Sequence, residues 1–207
     1  MLHRDNPDVP VEHWIEVLNA ELDAGRIRIF GASNWTLERV REANRYAAAH
    51  GLAGFAAISN NFSLARMNEP VWPGCVASSD PDYRAFLEDS QLALLPWSSQ
   101  ARGFFAPSGA GNRSRPGWGN HPSEAEMVRV WGSPDNHERR RRAALLAAER
   151  GVEPVHIALA YVLCQPFPTF PLIGPRTLAE TESSIRALPV RLTPEELAWL
   201  DLRGGRR

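Results

Sequence analysis

Arg26-Ile27-Arg28-Ile29-Phe30-Gly31-Ala32-Ser33-Asn34-Trp35 is the stretch that decides the fold. Arg26 to Phe30 alternates polar and apolar side chains, as a short β-strand does. Gly31 to Asn34 then breaks the pattern with small and polar residues. Thr36 follows as a helix cap, with Leu37, Val40, Ala43 and Ala47 on one face and Gly51 as the stop. Upstream, Pro10 opens a helix carrying Val11, Trp14, Ile15, Leu18 and Leu22, and Gly25 ends it. A strand is thus framed by two helices, with a polar turn at its carboxyl end.

The same unit recurs. Phe55-Ala56-Ala57-Ile58 predicts a second strand, Leu92-Ala93-Leu94-Leu95 a third and Phe170-Pro171-Leu172-Ile173 a fourth. Asp80-Pro81 starts a helix that runs to about Ser90. Pro154 begins another, and its Ile157, Leu159, Ala160 and Leu163 mark it as buried. Thr177-x-x-Glu180 and Thr193-Pro194-Glu195-Glu196 both read as capping boxes. Strands alternating with helices imply parallel βαβ units covered on both faces. Asn60 to Ser79 and Ser98 to Pro122 read as loops, the second of a kind that covers a ligand.

Composition narrows the function. The chain has 207 residues, is 43% hydrophobic and carries a net charge of −1. That is ordinary globular composition for one domain over 1–207, with no basic face for nucleic acid. Every one of the 23 cationic residues is Arg, so Schiff-base and P-loop lysine chemistry is absent. Cys75 and Cys164 are too few for a disulfide framework. No apolar run approaches the roughly 18 residues of a membrane span, and Met1 to Pro10 lacks a signal-peptide core. The expectation is a cytoplasmic protein with no membrane partner. Arg139 to Arg142 reads as a solvated helix face. His50 and His137 read as surface residues and His156 as a satisfied, partly buried one. The six histidines show no metal-binding spacing.

In parallel β/α folds, ligands bind at the carboxyl ends of strands. There stand Ser33, Asn34 and Trp35, then Ser59, Asn60 and Asn61. Pro96-Trp97-Ser98-Ser99-Gln100-Ala101-Arg102-Gly103 follows the third strand, and Gly174-Pro175-Arg176 the fourth. Amides can hold a carboxamide, Trp97 offers a stacking face, and Arg102 or Arg176 can fork onto a phosphate. Asn60, Asn61 and Trp72 hint at a polyol or sugar carbonyl.

These stretches, with Leu2-His3-Arg4-Asp5, resemble the aldo-keto reductases over nearly the whole chain. Members are eight-stranded (β/α)8 TIM barrels that bind NADP(H) and reduce aldehydes and ketones. The resemblance implies an α/β fold: a partial TIM barrel, from the end of the fourth strand through the eighth. It identifies His3 with the family's active-site histidine. Ser33 and Asn34 match the pair holding the nicotinamide carboxamide, and Ser59 stands where a glutamine usually helps. Trp97 matches the aromatic stacking on nicotinamide. Ser98, Gln100 and Arg102 match the pyrophosphate loop. Gly174, Arg176, Glu180, Ser183 and Ser184 match the stretch at the adenosine 2′-phosphate.

The family's proton donor is a tyrosine tuned by a lysine and an aspartate, and all three precede the histidine. Here no lysine exists, and Tyr46, Tyr83 and Tyr161 lie in helical patterns. The expectation is an oxidoreductase that is inactive as this truncated chain. A small-molecule carbonyl would be its substrate, and a separate or upstream stretch would supply the amino-terminal half. Alone, such a half barrel should self-associate or fold poorly, whereas a monodisperse monomer with a sharp melt counts against that. The other reading is a non-catalytic nucleotide-binding or assembly module. Kinase, Rossmann and serine-hydrolase motifs fail: Pro10 stands where a kinase loop needs Asn, and neither Gly-x-Gly-x-x-Gly nor Gly-x-Ser-x-Gly occurs.

Overall fold

The computed structural model describes residues 1–106 and 123–205. Three strands, β1 (Gly31–Ser33), β2 (Ala57–Ser59) and β3 (Ala93–Leu94), form a parallel sheet in the order β1-β2-β3. The helices are α1 (Val11–Asp23), α2 (Leu37–Ala49), α3 (Pro81–Ser90), α4 (Glu124–Trp131), α5 (Pro134–Arg150), α6 (Pro154–Leu163), α7 (Leu178–Ile185) and α8 (Pro194–Leu200). A single 3₁₀ turn spans Ala101–Gly103.

The strands sit later along the chain than the residue pattern suggests. Arg26 to Phe30 is irregular, and β1 begins at Gly31. The backbones pack too closely at Gly31 for any other residue: a Cβ there would lie 2.3 Å from the Ala57 carbonyl oxygen. β2 and β3 are likewise shorter than expected, and Phe170 to Ile173 forms no strand. Proline explains the last case, because Pro168 and Pro171 have no N–H to donate. The segment still lies alongside β3. Thr169 bridges Leu94, while Phe170 N–H donates to the Leu94 carbonyl at 2.8 Å and Leu172 N–H to Pro96 at 3.0 Å. On the other edge, Leu2 bridges Ala32 in parallel. The fold is therefore α/β with a parallel sheet, and what forms is three short strands flanked by bridged segments.

The helix signals hold at most ends. Thr36 and Thr177 accept from the backbone N–H groups of Arg39 and Glu180, and Thr193 completes a capping box with Glu196. The second box expected at Thr177 is only half made, because the Glu180 carboxylate turns to Arg176 instead. Helix α6 is buried on every side from His156 to Val162. It packs on α5 and α7, and α5 in turn meets α8. Asn60 to Ser79 is not a surface loop throughout. Phe62 to Ala65 is buried, and the chain doubles back so that Asn61 bridges both Ala77 and Trp97. Of the expected loop Ser98 to Pro122, residues 107–122 lie outside the described residues.

The arginine run is a second correction. Arg139 is 3% exposed rather than solvated. Arg140 donates to the Ala106 carbonyl and Arg142 to that of Trp199. Only Arg141 points largely to solvent, paired with Glu138. No helix among the described residues is long and apolar enough to cross a membrane.

Candidate active site

All strands run parallel, so the residues following them gather on one rim. Asn34, directly after β1, takes a left-handed backbone at φ +57°. Asparagine tolerates that region better than most residues. The turn aims its amide across the rim: Nδ2 donates to Ser33 Oγ at 3.0 Å and to the His3 carbonyl at 3.4 Å. Its Oδ1 accepts from Val76 N–H at 3.2 Å, and its own N–H donates to Asn60 Oδ1 at 2.7 Å. Ser33 Oγ donates to the Ser59 carbonyl at 2.6 Å. One polar ladder therefore joins His3, Ser33, Asn34 and Ser59.

Trp97 stands beside this ladder. Its N–H donates to the Asn60 carbonyl at 3.3 Å, and its own carbonyl accepts from Asn61 Nδ2 at 3.3 Å. Its half-buried ring lies 6.2 Å from that of Trp72, tilted by 45°. Trp72 belongs to the returning segment and is 47% exposed. The Arg102 guanidinium sits 5.3 Å over Trp72 and pairs with Glu126 at 2.8 Å. Asn60 and Asn61 are both fully buried, so neither can touch a sugar, and the polyol hint fails on that ground.

A second group lies around α7. Gln100 Nε2 donates to Ser184 Oγ at 3.2 Å, and Ser184 donates to the Glu180 carbonyl at 2.9 Å. Arg176 is tied to Glu180 twice, through its N–H at 2.6 Å and its guanidinium at 3.2 Å. Ser183 turns away from this group toward α6, where its hydroxyl meets His156 Nε2 at 3.0 Å. Ser98 continues the chain from Trp97 at φ +52°, and Gly174 precedes Arg176 in an exposed stretch. The first group thus holds His3, Ser33, Asn34, Ser59 and Trp97, and the second holds Gln100, Arg176, Glu180 and Ser184.

Sequence reasoning missed Val76, whose part depends on the chain folding back. It also missed the clamp between Asp5 and Arg39. That clamp is bidentate at 2.8 and 3.1 Å and fastens the His3 segment to α2.

His156 carries a pH prediction. Burial lowers its pKa, opposed by Glu153 and helped by Arg186. Its Nδ1 accepts the Glu153 N–H at 3.2 Å, which requires an unprotonated nitrogen. A folded pKa below the unfolded one gives stability that is present above about pH 6.5 and lost as pH falls. Melting temperature should drop between pH 7 and pH 5, and by less in His156→Gln. Equal slopes in the two proteins would contradict this.

The model of the Aldo/keto reductase family matches residues 1–202, and the chain belongs to that family. It is 26% identical over 202 residues to versiconal hemiacetal acetate reductase of Aspergillus parasiticus, covering 97% of this chain and 55% of that one. It is 28% identical over 189 residues to norsolorinic acid reductase of Emericella nidulans, covering 90% and 43%. A solved thermostable aldo-keto reductase, Tm1743 with the inhibitor epalrestat, shares the fold at a TM-score of 0.64. Its identity is 18%, and the match covers 98% of this chain and 58% of that one. The chain thus spans about half the length of the curated relatives it matches.

Proposed function

We propose that this chain holds NADP(H) for hydride transfer between its nicotinamide and an aldehyde or ketone. The observation that carries this is the shared rim, where the Ser33–Asn34 amide ladder stands beside the half-buried Trp97 ring. A dinucleotide suits that set. The ladder would take the carboxamide and Trp97 the nicotinamide ring, while Ser98, Gln100 and Arg102 would lie toward the phosphates. Gly174, Arg176, Glu180 and Ser184 would face the adenosine end. The cofactor would supply the hydride, and His3, whose main-chain carbonyl accepts from Asn34, would meet the carbonyl oxygen of the substrate.

The proton is a separate matter. Tyr83 and Tyr161 are buried, and burial pushes both phenols above their ordinary pKa. Tyr46 lies on α2 with its hydroxyl on Glu16 at 2.5 Å. None resembles a tyrosine tuned downward to act as an acid. With no lysine to tune one, the proton donor belongs to a separate chain or upstream stretch. A non-catalytic nucleotide-binding module is the second reading, favoured by the same missing lysine. NADPH fluorescence titration tests the shared claim. Saturable quenching is expected, weakened at least tenfold in Trp97→Ala, and no response at millimolar cofactor would overturn it. Stereospecific NADPH oxidation with an aromatic aldehyde by this chain alone would overturn the assignment of the proton donor.

A further inference from the structure

Away from the rim, Asp201 is 2% exposed at the end of α8. Four guanidiniums surround its carboxylate: Arg84 at 2.6 Å, Arg203 at 2.6 Å, Arg66 at 3.0 Å and Arg139 at 3.7 Å. One carboxylate shared by four arginines leaves an excess of positive charge, even with Asp135 as a second acid beside Arg139. Arg84 is otherwise well satisfied, by Tyr161 Oη and Gln165 Oε1, each at 3.2 Å. Arg139 is not. Its side chain is 4% exposed, and besides the long contact to Asp201 it has a hydrogen bond to Asn136 Oδ1 at 3.2 Å and the charge of Asp135 nearby. Its Nε is buried with no hydrogen-bond partner among the described residues. A buried cation left in that state is costly, and a second anion relieves it.

The opening to the cluster is basic as well. Arg66 and Arg203 have side chains 36% and 53% exposed, and each gives Asp201 a single nitrogen. Both side chains are therefore open to solvent beside the buried carboxylate. Guanidinium forks match the paired oxygens of a tetrahedral oxyanion. We infer that this cluster is an oxyanion site, in which Arg66 and Arg203 hold one phosphate-like group at the mouth and Arg139 balances its charge from behind. It would fasten the end of α8 to α3 and α5, and it is separate from Arg102 and Arg176. The ligand is either free inorganic phosphate or the phosphate of a monoester.

Inorganic phosphate, a phosphate monoester and chloride should be titrated against melting temperature at constant ionic strength. Phosphate is expected to raise it saturably, by roughly 3–5 °C at tenfold excess over Kd. A larger shift with the monoester would make that the ligand class. The rise should vanish in Arg203→Gln, a half-exposed position that leaves the core intact, and in Arg66→Gln. It should persist in the double variant Arg102→Gln, Arg176→Gln. An equal rise with chloride, or one that survives Arg203→Gln, would overturn the site. So would loss of the rise in the double variant alone, which would place phosphate on the dinucleotide rim. Should the variants fold poorly, equilibrium dialysis of labelled phosphate with the unaltered protein decides: about one phosphate per chain is expected, and none overturns the proposal.

Discussion

Asp201→Asn should cost about 3–5 kcal/mol of folding stability, lowering the melting temperature by roughly 10 °C. The reason is asymmetry. Arginine cannot shed its proton to escape burial, so removing this carboxylate leaves Arg84 with only the neutral partners Tyr161 and Gln165 and takes the nearest acid from Arg139. Asparagine keeps the shape and one acceptor oxygen, which separates the loss of charge from the loss of volume. Acid should mimic the substitution. Burial alone would raise the Asp201 pKa, but Arg84 and Arg66 outweigh it and hold the carboxyl below its ordinary range. Its contribution is then present above about pH 4 and is lost as pH falls further. Calorimetry against pH should show that acid slope in the unaltered protein and a shallower one in the variant. A melting temperature within 2 °C of the unaltered protein at pH 7 would mean the cluster is solvated instead.

Gly31→Val sets local preference against packing. Valine is among the better strand formers and glycine among the poorest, so preference alone predicts a gain of several tenths of a kcal/mol. The ladder predicts the reverse, because a Cβ would meet the Ala57 carbonyl oxygen at 2.3 Å and the Met1 sulfur at 3.1 Å. The oxygen is backbone and cannot swing aside. Relief requires β1 and β2 to part where Gly31 faces Ala57, beside the bond from Leu2 N–H to the Gly31 carbonyl. We expect a loss of about 3 kcal/mol in denaturant unfolding. Weakened NADPH quenching should accompany it, because Ser33 and Asn34 continue the same strand. A variant as stable as its parent would show that the strands can sit farther apart.

These two cases show what the sequence made legible. Helix starts are local events, and Pro10, Thr36, Pro81, Pro154 and Thr193 announced theirs. Strand positions are not local. Gly31, Ala32 and Ser33 have no strand preference and read as turn, yet pairing with Ala57 to Ser59 makes them the ladder. The apolar Ile29 just before them is 72% exposed. Charge misled in the same way. Nothing near Arg139 in the chain announces Asp201, so a run of four arginines passed for a solvated face. The rim was visible through the family-like stretch around Ser33 and Asn34 and through Trp97. The partners of Asn34 were not, because Val76 reaches it only through a fold-back held by long-range hydrogen bonds.

That fold-back hangs on Asn61. The backbone of this residue donates to the Val76 carbonyl at 2.9 Å and accepts from Ser78 N–H at 2.8 Å, while its side chain holds the Trp97 carbonyl. The strap carrying Trp72 and the post carrying Trp97 are therefore hinged on one pin. Any guest that shifts the Trp97 backbone pulls the same pin, and the far strap feels it without being touched. Amide exchange at Ser78 is then a remote gauge of occupancy at the rim: it should slow when the dinucleotide binds, and Asn61→Ala should disconnect the gauge while leaving Ser33 in place.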